Sequence, residues 1–266
     1  MKRTEIFKKN KQSHDSRHRR TEPREEWIYG LNPVLEAVRS GRKVKAVFLS
    51  SGRRDRITEI EEEISSCGIK INREDNLFFD NKFVKGHQGI AALVAPRGYA
   101  DFDELLETPS RKNEMPLFLL LDGVEDPRNF GAVLRVADAG GVHGVVIQAY
   151  RSASLSPEAV KASAGASEHI PIAMVPNIKN AIRDMKESGI TIVGAEADAD
   201  LLPWEADLKV PLALVMGSEG EGMRKTVREQ CDLLVRLPMK GKVNSLNVSV
   251  ATGIIIFEIM RQRMSN

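Results

Sequence analysis

Along the first third of the chain, short apolar runs alternate with stretches of helical periodicity. "KAVFLS" (45–50), "IKINR" (69–73) and "GIAALVA" (89–95) read as strands. "NPVLEAVRSG" (32–41) and "RITEIEEEISSCG" (56–68) repeat apolar residues three and four apart, which predicts helices, and a short helix follows the second strand. The spacing therefore predicts a small α/β domain over 27–96. The next stretch, 97–115, is charged and bounded or interrupted by Pro96, Pro109 and Pro116. It reads as a linker with at most one short helix.

From residue 116 to 266 the alternation resumes with longer apolar runs. "LFLLLDG", "GVVIQ", "IAMV", "ITIVGAEA", "LALVMG" and "LLVRLP" predict strands. Between and after them, "FGAVLRVADAGG", "PEAVKASAGASE", "IKNAIRDMKESG", "MRKTVREQC" and a closing "VSVATGIIIFEIM" predict helices. Continuously apolar strands joined through helices imply a mostly parallel sheet covered on both faces. Ligands of such sheets bind beyond the carboxyl ends of the strands, so the loops after each strand are where chemistry is expected. The closing helix is apolar on nearly every side, which predicts burial between the sheet and a second subunit.

Composition narrows the class. With 266 residues and 42% hydrophobic content the chain can bury two modest cores. Its net charge of only +2 means that any nucleic-acid surface must be local. Residues 1–24 supply one: nine Lys/Arg against three acids, a net of +6, with almost nothing to bury, which predicts a disordered basic arm. Cys67 and Cys231 are too far apart in sequence to suggest a disulfide framework or a zinc site, so a reducing cytoplasm is expected. The apolar runs are too short for a membrane span, and no apolar segment follows the basic start as in a signal peptide.

Three loops at strand ends carry candidate chemistry: "GAEAD" (194–198), "GSEGEG" (217–222) and "PMKGKVNSLN" (238–247). The second has neither the GxGxxG spacing of a dinucleotide loop nor the Lys-Ser/Thr of a phosphate loop, and Glu219 could be a plain turn residue. In "DGVEDPRNFGAVLRVADAGG", Pro127 and Asn129 suit a turn into a helix, within which Arg135 stands among apolar neighbours. Either Arg135 snorkels to Asp138, or it is aimed at a phosphate or a developing oxyanion. Ser245, Asn247 and Ser249 precede or begin the closing helix; one of them suffices as an N-cap, and a helix start is also an anion site. His87 and His169 fall at strand edges and read as structural, and the pair His14 and His18 is no metal site without a helix to fix it.

Together, "NFGAVLRVADAGGV", "LVMGSEGEGM" and "LPMKGKVNSLNVSVATGIIIFE" resemble the three signature motifs of the SpoU/TrmH class of SPOUT RNA ribose 2′-O-methyltransferases. "YGLNPVLEAV" and "KGHQGIAALV" are similar to that family's small RNA-binding domain, related to the ribosomal protein L30e fold. The order most resembles the bacterial enzyme that methylates a guanosine in the peptidyl-transferase region of large-subunit rRNA. The resemblance implies an L30e-like N-terminal domain, a C-terminal domain with a trefoil knot, bound S-adenosylmethionine, no metal and a homodimer. It implies catalytic roles for Arg135, Asn129, Glu219, Ser245 and Asn247. Cofactor contacts would fall on Gly194, Ala195, Glu196, Gly217, Leu237, Met239, Ser245 and Leu246. Two alternatives stay open: the same chemistry on a tRNA guanosine, and a non-catalytic L30e-like RNA-binding protein.

Overall fold

A computed structural model describes residues 25–51, 57–242 and 245–264; the basic arm expected over 1–24 lies outside them. The first sheet joins β1 (Glu26–Tyr29), β2 (Val44–Ser50), β3 (Lys70–Glu74) and β4 (Ile90–Val94) in the order β1-β4-β2-β3. β4 runs antiparallel to β1 and β2, while β2 and β3 are parallel. Helices α1 (Leu31–Arg39) and α2 (Ile57–Ser66) bury Val34, Ala37, Val38 and Ile64 against Val47 and Leu49. α3 (Asn76–Lys82) starts at Asp75, whose carboxylate accepts the Phe78 N–H at 2.8 Å. β1 is an addition to the strands the sequence predicts: four residues are too few for a visible alternation, and only pairing with β4 reveals it.

The expected linker is folded, with two short helices in place of at most one. α4 (Phe102–Leu106) is capped by Asp101, and α5 (Thr108–Lys112) carries Pro109 in its first turn, where proline is tolerated. Leu105 is buried against the second sheet, packed into the space that Gly144 leaves by having no side chain.

That second sheet contains β5 (Leu117–Asp122), β6 (Gly144–Gln148), β7 (Ile172–Val175), β8 (Thr191–Ala195), β9 (Leu212–Gly217) and β10 (Leu233–Val235). Its order is β10-β8-β9-β5-β6-β7 and every neighbouring pair is parallel. α6 (Pro127–Ala139) and α10 (Val248–Met264) cover one face, meeting Leu119, Leu121 and Leu214. α8 (Ile178–Glu187) and α9 (Lys225–Arg228) cover the other, with Phe118, Leu120 and Val215 beneath. α9 is shorter than the predicted 223–231. "PEAVKASAGASE" likewise breaks into α7 (Pro157–Ala162) and a 3-10 turn, Ala166–Glu168, because Ala164 and Gly165 take positive φ.

α6 and α10 approach closely: a Cβ on Gly140 would lie 2.2 Å from Ile256 Cγ2. One side of α10 thus buries Val248, Ile255, Ile256 and Ile259, while Val250, Ile254 and Phe257 remain exposed at helical spacing.

The two sheets are tied through the segment that follows α7. Glu168, buried at the junction, accepts from Arg42 Nη1 at 2.8 Å and Arg97 Nη1 at 3.3 Å, and Arg97 also reaches the Ile170 carbonyl. Burial lowers the Arg97 pKa, partly offset by Glu168. His169 Nε2 lies 2.8 Å from Glu36 on α1. Both His169 and His87, the latter 3.1 Å from Asp80, make the structural contacts expected of them.

Candidate active site

Parallel pairing brings the carboxyl ends of β5, β9, β8 and β10 to one edge, with Asp122 opposite Gly217, Met216 opposite Ala195, and Ala195 opposite Val235. The loop after β9 is a tight hairpin in which Ser218 and Gly222 exchange backbone hydrogen bonds at 3.0 and 3.1 Å. A Cβ on Gly217 would stand 2.2 Å from the Gly222 carbonyl carbon and 2.3 Å from Met223 N, so only glycine lets the loop fold back this closely.

Two carboxylates fasten the hairpin from below. Glu196, just past β8, accepts the Met223 N–H at 2.8 Å. Asp122, buried at the end of β5, accepts from Arg224 N at 2.9 Å and Arg224 Nε at 2.7 Å. Arg224 Nη2 in turn donates to Gln148 at the end of β6. Asp122 and Arg224 are contacts that fasten the candidate site and that sequence reasoning misses; an acid ending an otherwise apolar strand is the available signal.

The hairpin holds Glu219 at the start of α10, where its Oε1 accepts from Asn247 Nδ2 at 2.7 Å and from Val248 N at 3.2 Å. Asn247 Nδ2 also donates to Asn129 Oδ1 at 2.9 Å. The other end of the Asn247 amide is the helix cap: Oδ1 accepts from Ser249 N at 3.0 Å and from Ser249 Oγ at 2.5 Å. One residue from each of three distant sequence segments therefore meets at one point. Asn129 is already inside α6, whose cap is Asp126, and is not in the turn before it.

Arg135 is not in this cluster. It sits six residues further along α6, about 9 Å along the axis, and is exposed. Among the described residues no ion pair joins it to Asp138, so the snorkelling arrangement is not formed. Its neighbour Val136 packs where α10 is thinned at Gly253. Ser245 is exposed and outside the hydrogen-bonded set. Of the positions expected to meet a cofactor, Gly194 and Ala195 end β8 and Gly217 ends β9. Leu237 is half-buried, and Met239 and Leu246 are exposed apolar side chains on the loop leading to α10. The Glu196 carboxylate is turned to the hairpin backbone.

Burial pushes the Cys231 thiol up to about 12, and its Sγ packs beside Gly194. No cluster of His, Cys, Asp or Glu suited to a metal occurs among the described residues. The ensemble is a rim of backbone, amide and carboxylate groups beside apolar side chains, suited to holding and orienting reactants.

Comparison with known proteins gives a consistent result. Residues 116–257 match the model of the SpoU rRNA Methylase family, and 27–100 match that of the RNA 2'-O ribose methyltransferase substrate binding family. The 23S rRNA (guanosine-2'-O-)-methyltransferase RlmB of Pseudomonas aeruginosa is 42% identical over 243 residues, 90% of this chain and 97% of that one. YacO of Bacillus subtilis, which carries a TrmH-family tRNA/rRNA methyltransferase name, is 42% identical over 239 residues, 90% and 96% of the two chains. The crystal structure of the SpoU methyltransferase AviRb from Streptomyces viridochromogenes with its cofactor AdoMet superposes with a TM-score of 0.73 at 26% identity, covering 91% of each chain.

Proposed function

Because the chain belongs to the SpoU rRNA methylase family and is an RNA 2′-O-ribose methyltransferase, we propose that it methylates a guanosine ribose of 23S rRNA, in the peptidyl-transferase region, in the cytoplasm. Support for this target over a tRNA comes from the near full-length similarity to RlmB. In this reading residues 27–96 form an L30e-like domain that grips RNA, 97–115 a connecting segment, and 116–266 a trefoil-knotted catalytic domain. Two such chains pair through the open apolar strip of α10, Val250, Ile254 and Phe257.

The methyl donor is S-adenosylmethionine, which when bound would supply a methyl group to the ribose 2′-oxygen, leaving S-adenosylhomocysteine and releasing the hydroxyl proton. The residues at the strand ends fit it: Gly217 lets the hairpin after β9 fold back tightly against the strand end, and Leu237, Met239 and Leu246 offer apolar surface to a purine. Gly194, Ala195 and Glu196 form the adjoining wall, with Glu196 holding the hairpin in place. Ser245 lies on the same approach to α10.

The observation that carries the assignment is the Asn129–Glu219–Asn247 cluster at the mouth of these loops. It fixes three chain segments relative to one another, and holding reactants in a near-attack geometry can supply about 7 to 11 kcal/mol in favourable systems. Arg135, permanently charged and exposed about 9 Å along α6 from the cluster, takes the phosphate next to the target ribose in this reading and through it the charge developing on the ribose oxygen.

Mapping ribose methylation in rRNA and tRNA from a strain lacking the gene tests the reading. Loss of one 23S rRNA guanosine methyl group, restored by the wild-type gene, is the expected result. Loss in tRNA alone would move the target, and an unchanged pattern in both would overturn it.

A further inference from the structure

The first sheet has a face that its own helices leave partly open. α1 and α2 close the side carrying Ile28, Val47, Leu49 and Ile71. Residues directly paired across strands share a face, so the register sets two rows on the opposite side. Trp27, Leu93, Ala46 and Lys70 form one; Tyr29, Ala91, Phe48 and Asn72 form the other. α3 covers only part of this surface with Phe79 and Phe83, leaving Trp27, Phe48 and Phe78 partly buried.

These three rings make a shelf. The Trp27 and Phe48 centroids are 4.8 Å apart, and Phe48 stacks on Phe78 at 5.6 Å with 19° between planes. Lys82 Nζ lies 3.8 Å from the indole centroid of Trp27, and Lys70 is exposed at the end of the same row. Leu77 within α3 and Val84 just after it are 66% and 63% exposed.

A contiguous apolar surface of this kind marks a binding site more often than a failure of packing. Its occupant is indicated by the charges. Protein interfaces are depleted in lysine, whereas aromatic rings on an open sheet face with a basic rim are how unpaired RNA bases are held. The cation over the indole is a flexible, exposed ammonium. A base can take its place on the ring while the ammonium moves to the adjoining phosphate.

We propose that the shelf of Trp27, Phe48 and Phe78 binds unstacked bases of a single-stranded RNA segment, with Lys82 and Lys70 on the flanking phosphates and Asn72 on a base edge. The proposal rests on the reading of this protein as an RNA methyltransferase and says which part of the RNA its first domain takes: a loop or bulge, not a duplex.

The test uses the indole itself. In full-length protein with Trp204→Phe, Trp27 is the only tryptophan. A single-stranded oligoribonucleotide of about ten nucleotides should quench its fluorescence saturably, and the same sequence as a duplex should quench far less. Trp27→Leu, which keeps apolar bulk but not the ring face, should weaken single-strand binding about 5- to 150-fold. Trp27→Tyr should restore most of it. In methyl transfer to rRNA the loss should fall on KM with kcat unchanged. If Trp27→Leu does not fold, Lys82→Gln, at an exposed position, decides by flattening the log–log salt slope by about 0.7 to 0.9.

Absence of quenching, or wild-type RNA affinity in the folded variants, overturns the proposal. So does a change in self-association of Trp27→Leu, seen by sedimentation, without a change in RNA binding, since the shelf would then be a protein contact. Quenching by RNA in the Trp204→Phe protein, with no methyl transfer by that protein or by wild type, would leave the shelf standing and remove the methyltransferase reading. Normal transfer with no response at Trp27 or Lys82 would remove the shelf alone.

Discussion

Asn247→Ala separates helix capping from site assembly. The side chain makes two kinds of contact: its Oδ1 caps α10 through Ser249 N, and its Nδ2 ties Asn129 and Glu219 together. Losing the cap costs about 1 kcal/mol. The link to the Glu219 carboxylate is charge-assisted but exposed, so water replaces much of it and it adds no more than about 1 kcal/mol. A total of about 1 to 2 kcal/mol, at roughly 2 to 4 °C per kcal/mol for a domain of this size, lowers the melting temperature by about 2 to 8 °C. The protein therefore stays folded at 25 °C. Asn247→Asp isolates the second role. It keeps an oxygen for the cap, at a helix end that favours negative charge, but sets a second carboxylate against Glu219 and Asn129 Oδ1. Melting should change less than in the alanine variant, while methyl transfer under single-turnover conditions should fall roughly 100-fold in both, as small misplacements do. If folded Asn247→Ala protein transfers methyl groups at the wild-type rate, the cluster is only a cap and the site assignment is wrong.

Four further outcomes are expected. Arg135→Ala should lower turnover about 100-fold or more with S-adenosylmethionine affinity, measured by calorimetry, nearly unchanged; normal turnover would remove the role given to it. Gly217→Ala places a methyl group 2.2 Å from hairpin backbone, so cofactor binding should be lost in the same calorimetric titration even where circular dichroism shows native helix content. Removing residues 1–24 should reduce the log–log salt slope of RNA binding by about 0.7 to 0.9 for each phosphate the arm neutralises, and an unchanged slope would make the arm a passive tail. Burial lowers the pKa of His143 despite Glu114 3.0 Å away. With the folded value below the unfolded value of about 6.5, the stability from this group is complete above that pH and declines as pH falls below it. Melting temperature against pH should show the decline, and His143→Gln should flatten it.

Most of the alternating strands and helices is legible in the sequence, because apolar runs such as "LFLLL" and "LALVMG" leave no other use for themselves than central strands. The remainder is set by tertiary contact. β1 exists through its pairing with β4, and the segment after Pro96 reads as a linker because Leu105, its buried anchor, stands with Phe102 and Leu106 among charges, too short a run to show a helical period. Within the site, the motif residues Asn129, Glu219 and Asn247 can be singled out, but not their mutual hydrogen bonds, which join positions 28 and 118 residues apart. Arg135 stands among apolar residues in the sequence, but a helix turns each residue by 100° and this side chain faces out, which leaves it open to a partner outside the chain.

α10 is a single rigid rod of 17 residues with two occupations. Its first turn is bonded to Glu219 and preceded by Asn247, while the exposed Val250, Ile254 and Phe257 begin within one turn of that end. An engineer who replaces those side chains with charges to curb aggregation is therefore handling the same lever that sets the position of Asn247. If two chains pair through that strip, a charge placed there would act on the same helix whose start carries Asn247, so soluble yield and methyl transfer have to be scored together.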